Sequence, residues 1–263
     1  MKPTSSSTDL DGSTPRSIFD SMAERYDELR GKEDQLAEQF EFTVAAGLGA
    51  ATRLLDVGCG TGALIAAAVD RLGVRAWGVD ASQPMLVKAR ERRVRGAAFR
   101  LAQADALPFR QGWFDAVTMR LVVHTLGERR ELALSEVRRV LAPEGRVFIW
   151  TFAPEHFTGH HLRPYLPDLP TIDLEGFPSA ETLASELTAA GFGDVQLRTF
   201  EQDGSVTRRH AAEQLRNRHL STIHLLPEQQ VAAAAERLEH EAAAAEPPLA
   251  TMLRWQLLVA RAE

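Results

Sequence analysis

The residues able to do chemistry gather first in Leu54-Leu55-Asp56-Val57-Gly58-Cys59-Gly60-Thr61-Gly62, an apolar run that enters a glycine loop ahead of an apolar helical stretch. Glycines at such a point let the backbone turn sharply and approach a ligand with no Cβ in the way. They do so at the carboxyl edge of a sheet, where doubly wound folds bind ligands. Gly58, Gly60 and Ala63 satisfy the dinucleotide pattern G-x-G-x-x-G/A, so a nicotinamide cofactor and an oxidoreductase are one reading. Asp56 argues against it, because a carboxylate two residues before the first glycine suits an ammonium or a water and repels a pyrophosphate. Asp80 ends a second run, Gly78-Val79-Asp80-Ala81-Ser82, where a carboxylate can accept both hydroxyls of a ribose, a feature common to both readings. Asp105, in Ala104-Asp105-Ala106-Leu107-Pro108-Phe109, stands where it could accept from an exocyclic amine of adenine, and the dinucleotide fingerprint has no such element. Cys59, between two glycines, reads as a residue chosen for size.

These residues need elements to hold them, and the hydrophobic period along the chain switches between continuous or alternating runs and 3.6. Strands are expected at Arg53–Val57, Ala76–Val79, Ala98–Ala102, Ala116–Met119 and Arg146–Phe152, separated by helices over 63–72, 83–94 and 129–141. Regular crossovers of this kind are right-handed, which predicts an α/β, doubly wound, mostly parallel sheet. Asp194–Phe200 and Met252–Ala260 bring it to seven strands, with a helix from Ser179 to Ala190 stopped by Gly191. Two helices are expected over 16–49 ahead of the first strand, and two more over 207–220 and 227–245. Prolines 154, 164, 167, 170 and 178 predict a loop or lid over 153–178. The organisation expected is a disordered tail (1–15), a helical cover (16–50), a ligand-binding core (51–200), a helical insertion (201–250) and a closing strand (251–263).

Over residues 17–152 the chain closely resembles the class I S-adenosylmethionine-dependent methyltransferases, in particular the subgroup related to ubiquinone and menaquinone biosynthesis enzymes. The resemblance begins at Phe19-Asp20-Ser21-Met22-Ala23-Glu24-Arg25-Tyr26-Asp27 and continues through the glycine loop and Phe114-Asp115-Ala116-Val117. It ends in Leu141-Ala142-Pro143-Glu144-Gly145-Arg146, where Glu144 replaces the first glycine of the family's Leu-x-Pro-Gly-Gly turn. The resemblance implies a Rossmann-like methyltransferase fold and S-adenosylmethionine as cofactor. It implies that the Gly58–Gly62 backbone holds the methionine part, Asp80 the ribose, and Asp105 and Ala106 the adenine, with Met85 packed on the ring. It also implies that Arg120 sets its backbone beside the methionine amino group, and that Tyr26 and Arg30 close over the cofactor. Asp56 and Asp80 could otherwise only cap the helices that follow.

Methyl transfer from a sulfonium is an in-line displacement that depends on holding the nucleophile in place, so no fixed acceptor motif is required. His124, just after the fourth strand, is the candidate general base, with a structural histidine as its competitor. His156, His160, His161 and Tyr165 lie in the Pro-rich segment and Arg216, Arg218, His219 and His224 in the insertion; His156, His160 and His161 could suggest a metal site, but no acid or cysteine repeats at ligand spacing, so no metal is expected. The histidines read as surface residues. The insertion could roof an acceptor pocket, or its apolar stripe Val231, Ala234, Ala235, Leu238 and Ala242 could serve a homodimer.

Composition bounds the rest. The 263 residues, 44% hydrophobic and 25% charged, suit one large globular unit. A net charge of −6 has the wrong sign for a protein held on nucleic acid by phosphates, and Arg90, Arg92, Arg93 and Arg95 read as a solvated face. No uncharged apolar stretch is long enough to span a membrane, and the N-terminus has no secretory h-region. One cysteine forms no internal disulfide, which fits a reducing cytosol, and a soluble, cytoplasmic enzyme acting on a small molecule is expected, with a non-catalytic S-adenosylmethionine-binding protein as an alternative.

Overall fold

The computed structural model describes residues 19–20, 23–27, 33–218, 221–244 and 246–263. The tail over 1–15, Arg30 and His219 lie outside them. Among the described residues seven strands form one sheet: β1 (Arg53–Val57), β2 (Arg75–Asp80), β3 (Ala97–Leu101), β4 (Phe114–Arg120), β5 (Leu141–Phe152), β6 (Phe192–Val206) and β7 (Leu249–Ala262). Their order is β3-β2-β1-β4-β5-β7-β6, parallel except where antiparallel β7 pairs with β5 and β6. The chain winds outward from β1 to β3, then crosses back to β4, so the crevice where parallel folds take ligands opens between β1 and β4.

Strand parity decides what each face meets. Along β5, Val147 and Ile149 point into one core with Leu134, Val137 and Val140 of helix α4 (Arg130–Val140) and Leu183 and Leu187 of a later helix. Phe148 and Trp150 point into the other, with Phe40 of α1 (Glu33–Ala45), Leu64, Ile65 and Ala68 of α2 (Ala63–Leu72) and Leu86 of α3 (Gln83–Glu91). With both faces covered, β4 buries Phe114, Ala116, Val117 and Met119, and its two charged residues, Asp115 and Arg120, are only half-buried near its ends. Of the two helices expected over 16–49, α1 and a single turn, Ala23–Arg25, are described. Helix α3 stops short of residue 94, and Arg93, just beyond it, is left-handed at φ 51°.

The Pro-rich segment differs from the expected loop. It holds α5 (Pro154–Thr158) and α6 (Leu169–Gly176), and in each a proline occupies the first turn, where no backbone N–H is needed. Helix α7 (Ala180–Ala189) follows, capped by Ser179 Oγ, which accepts from the Thr182 N–H at 3.2 Å. Leu162, Leu166 and Leu169 are fully buried, in a third core shared with Leu215 of α8 (Arg208–Arg216) and Val231, Ala234, Ala235 and Leu238 of α9 (Glu228–Ala243). The apolar stripe of α9 is therefore used within the chain. Strands β6 and β7 run further than expected, pairing with each other from Phe200↔Trp255 out to Val206↔Leu249, beyond the end of β5. This ribbon carries α8 and α9, which pack on the Pro-rich segment as a cap.

Candidate functional site

The site forms where β1, β2 and β4 end. After Val57 the chain leaves β1, and the N–H groups of Gly58 and Cys59 both donate to the Val79 carbonyl, at 2.8 and 3.0 Å. This stitches the loop to β2 and requires left-handed backbone at Gly58 (φ 71°) and Gly60 (φ 50°). A Cβ on Gly58 would overlap the Val122 side chain, whereas one on Gly60 would project toward the Tyr26 ring, 4.0 Å away. Cys59 packs where a Cβ on Gly78 would come within 2.7 Å of its sulfur, and burial pushes its thiol up, in keeping with a residue selected for size.

Asp80 ties the loop to α3. One carboxylate oxygen accepts from the Gly60 N–H at 2.8 Å and the other from the Ser82 N–H at 2.8 Å. Burial raises its carboxyl, and the backbone N–H groups of Ser82, Gly60 and Ala81 pull it partly back. Two carboxylate oxygens offer about four lone-pair positions, so acceptor capacity remains for a ribose hydroxyl. Ser82 caps α3 by accepting from the Met85 N–H, with Pro84 in the first turn. From the N-terminal side, Thr61 donates to Asp27 at 2.6 Å, Arg92 pairs with Asp27, and Arg92 Nε donates to the Thr61 carbonyl at 2.7 Å. Those bonds hold Tyr26 above the loop.

The resulting cavity, about 400 Å³, is large enough for a nucleoside-sized ligand. Of the residues singled out in the sequence, Tyr26, Gly58, Gly60, Asp80, Ala81, Met85 and Arg120 line it. Asp56 is buried just beneath, accepting from Thr118 Oγ1 at 2.7 Å, and burial raises its carboxyl to about 7 against the opposing pull of Thr118 and Arg120. Asp105 and Ala106 are not among the wall residues: beyond β3 the wall is Ala102, Gln103 and Ala104, and Asp105 faces Arg129 at 3.7 Å. His124 is also off the wall, its ring stacked 3.9 Å from that of Phe177.

Phe19, Leu121, Val122, Thr125, Leu126 and Arg129 also line the wall, and sequence reasoning assigned none of them a site role, although Phe19 and Leu121 to Leu126 lie in stretches that carry the family resemblance. The last five follow β4 in a stretch whose backbone departs from any regular period. Leu121 itself is left-handed at φ 55°, a strained conformation for a side-chain-bearing residue and one that clusters at ligand sites. The histidines of the Pro-rich segment are not surface residues, because the cap closes over them. His156 is 3% exposed and stacks on Phe152 at 4.1 Å, and the rings of His160 and His161 stack at 4.4 Å. Among the described residues no group of three metal-ligating side chains comes together, and no helix is long and apolar enough to cross a membrane.

Against known proteins, residues 55–149 match a family model described as a methyltransferase domain. A demethylmenaquinone methyltransferase of Thermus thermophilus is 35% identical over 167 residues, covering 53% of this chain and 74% of that protein. One from Clavibacter sepedonicus is 31% identical over 208 residues, covering 70% of this chain and 84% of that one. Among solved structures, the YcgJ protein of Bacillus subtilis superposes with a TM-score of 0.60 at 21% identity, over 88% of this chain and 98% of that one, a likeness of fold.

Proposed function

The chain belongs to the class I S-adenosylmethionine-dependent methyltransferases, and on that premise we propose that the cavity holds S-adenosylmethionine beside a small-molecule acceptor. The observation that carries this reading is the junction of Gly60, Asp80 and Ser82, in which one carboxylate orders both the glycine loop and the start of α3 at the cavity wall. The residues present fit the cofactor: Gly60 offers backbone with no Cβ toward the cavity, and Asp80 keeps lone pairs for a ribose hydroxyl. In this assignment the Gly58 and Gly60 backbone meets the methionine part, and Asp80 accepts from the ribose. Ala81, Met85 and the Ala102–Ala104 wall flank the base, with Asp105 and Ala106 just behind that wall. The cofactor supplies, when bound, an electrophilic methyl group on a sulfonium.

The remaining work belongs to the chain. Tyr26, pinned through Asp27 and Arg92, covers the cavity and excludes water, which strengthens every electrostatic contact inside. The backbone at Arg120, Leu121 and Val122 borders the cavity at the end of β4 and sets the acceptor's approach, so that positioning carries most of the rate. The cap of α5, α6, α8 and α9 stands over the carboxyl end of β5 and the amino-terminal part of antiparallel β7, on the route an acceptor would take.

The test is calorimetric titration with S-adenosylmethionine, S-adenosylhomocysteine and NAD in parallel. Micromolar affinity for the first two and none for NAD is expected. Binding of NAD alone, or of none of the three, overturns the reading.

A further inference from the structure

Arg129 lines the cavity although its place in the chain does not favour it. It stands at the start of α4 with no side-chain cap bond, where the helix dipole disfavours a cation. Its guanidinium reaches instead to the segment after β3: Nη1 donates to Gln103 Oε1 at 3.4 Å and lies 3.7 Å from Asp105 Oδ2. Strands β3 and β4 flank β2 and β1, three strand spacings apart, or roughly 14 Å across the sheet. Leu121, Val122, Thr125, Leu126 and Arg129 all line the cavity, so the segment after β4 runs along it and Arg129 joins its two sides at the Ala102–Ala104 end.

Gln103 takes the guanidinium by its edge, where the N–H groups point, and this leaves the flat faces for another plane. The Arg129 side chain is still 53% exposed, against 19% for Asp105. Gln103 and Arg129 both belong to the cavity wall, and Asp105 does not. The arginine and not the acid therefore meets what occupies this end. A guanidinium is planar, delocalised and weakly hydrated, and it stacks on aromatic faces, of which a purine is one.

We infer that Arg129 binds the cofactor's purine by stacking its guanidinium on the open face of the base, and that Asp105 acts on the base through Arg129, without touching it. Gln103 and Asp105 set the plane of the guanidinium, and the guanidinium shields the base from water. The inference rests on the cofactor assignment above, which sets the base against Ala102–Ala104.

The full-length protein and its Arg129→Met, Asp105→Ala and double variants are titrated calorimetrically with S-adenosylhomocysteine. A parallel series uses 5′-methylthioadenosine, which has the same base and sugar without the amino acid. Arg129→Met, a change at an exposed side chain, should weaken both ligands by the same factor, about three- to thirtyfold, the scale of a guanidinium–ring contact. Asp105→Ala should weaken both by a smaller factor, and by less than about twofold where Arg129 is already methionine. Arg129→Lys, which keeps the charge and loses the plane, should stay at least about threefold weaker than the parent.

A loss of less than about twofold in Arg129→Met, a loss confined to S-adenosylhomocysteine, or full recovery in Arg129→Lys overturns the stacking role. An Asp105→Ala effect as large in the methionine background as in the parent means that the acid meets the base itself, and the placement of Asp105 behind Arg129 falls. If neither ligand binds the unaltered protein, the cofactor reading is overturned, and this inference with it.

Discussion

Replacing Gly58 with alanine introduces two penalties that can be separated. The backbone there has φ 71°, and a residue with a Cβ pays about 1–2 kcal/mol to adopt it. The new methyl group would also overlap Val122 Cγ2 and lie 3.3 Å from Cγ1. Val122 is 9% exposed and branched at Cβ, so it cannot swing aside, and overpacking of this kind costs about 1–3 kcal/mol. The sum, about 2–5 kcal/mol, is a large share of a typical domain's stability. Val122→Ala alone loses two buried carbons, about 1.6 kcal/mol. In the double variant the overlap disappears and the dihedral cost remains, so it should be less destabilised than the sum of the singles by about 1–3 kcal/mol. Urea denaturation followed by far-UV circular dichroism measures the four stabilities, and calorimetry measures S-adenosylhomocysteine affinity. Both alanine-58 variants should bind weakly, because the loop must shift. A Gly58→Ala protein as stable as the parent, or strict additivity in the double variant, refutes the reasoning.

Four further outcomes are expected. Asp80→Ala removes the acceptor shared by the Gly60 and Ser82 N–H groups as well as the ribose contacts, and should cost at least about a hundredfold in S-adenosylhomocysteine affinity by calorimetry. Glu144 holds φ 65° where the family turn has glycine, and its ion pair with Arg261 is exposed, so Glu144→Gly should raise stability by about 0.5–1 kcal/mol in urea denaturation despite losing a charge pair. Burial holds the His156 imidazole down to about 4, so the unfolded chain alone takes up that proton between about pH 6.5 and 4, and stability falls as pH falls through this window. His156→Phe, which keeps the stack on Phe152, should lessen that acid loss when urea denaturation is followed from about pH 7 to 4. His124→Phe preserves the stack on Phe177 and should keep the methyl-transfer rate; a drop of about a hundredfold in kcat at unchanged cofactor affinity would instead assign His124 to proton transfer.

What the sequence determined by itself is what local rules encode. Gly58 and Gly60 announce a left-handed loop because few other residues adopt it. Asp80 announces a carboxylate at a strand end because the β2 run stops there. Parity within β5 and the 3.6 period of α2, α4 and α9 define elements whose apolar faces must be covered, and the β1/β4 crevice follows from their winding. What only the tertiary structure decided are relations between residues far apart in the chain. Arg120 meets Gln39 across 81 positions because α1 crosses the β4 edge. Asp105 turns to Arg129, and His156 and His160 are buried, because the wall after β4 and the cap's third core come from segments with no shared period. Prolines 154 and 170 broke the helical pattern locally yet start helices once packing supplies their partners. Periodicity records which face a residue turns inward, but the identity of the neighbour waiting there depends on how the crossovers stack, and no local pattern carries that information.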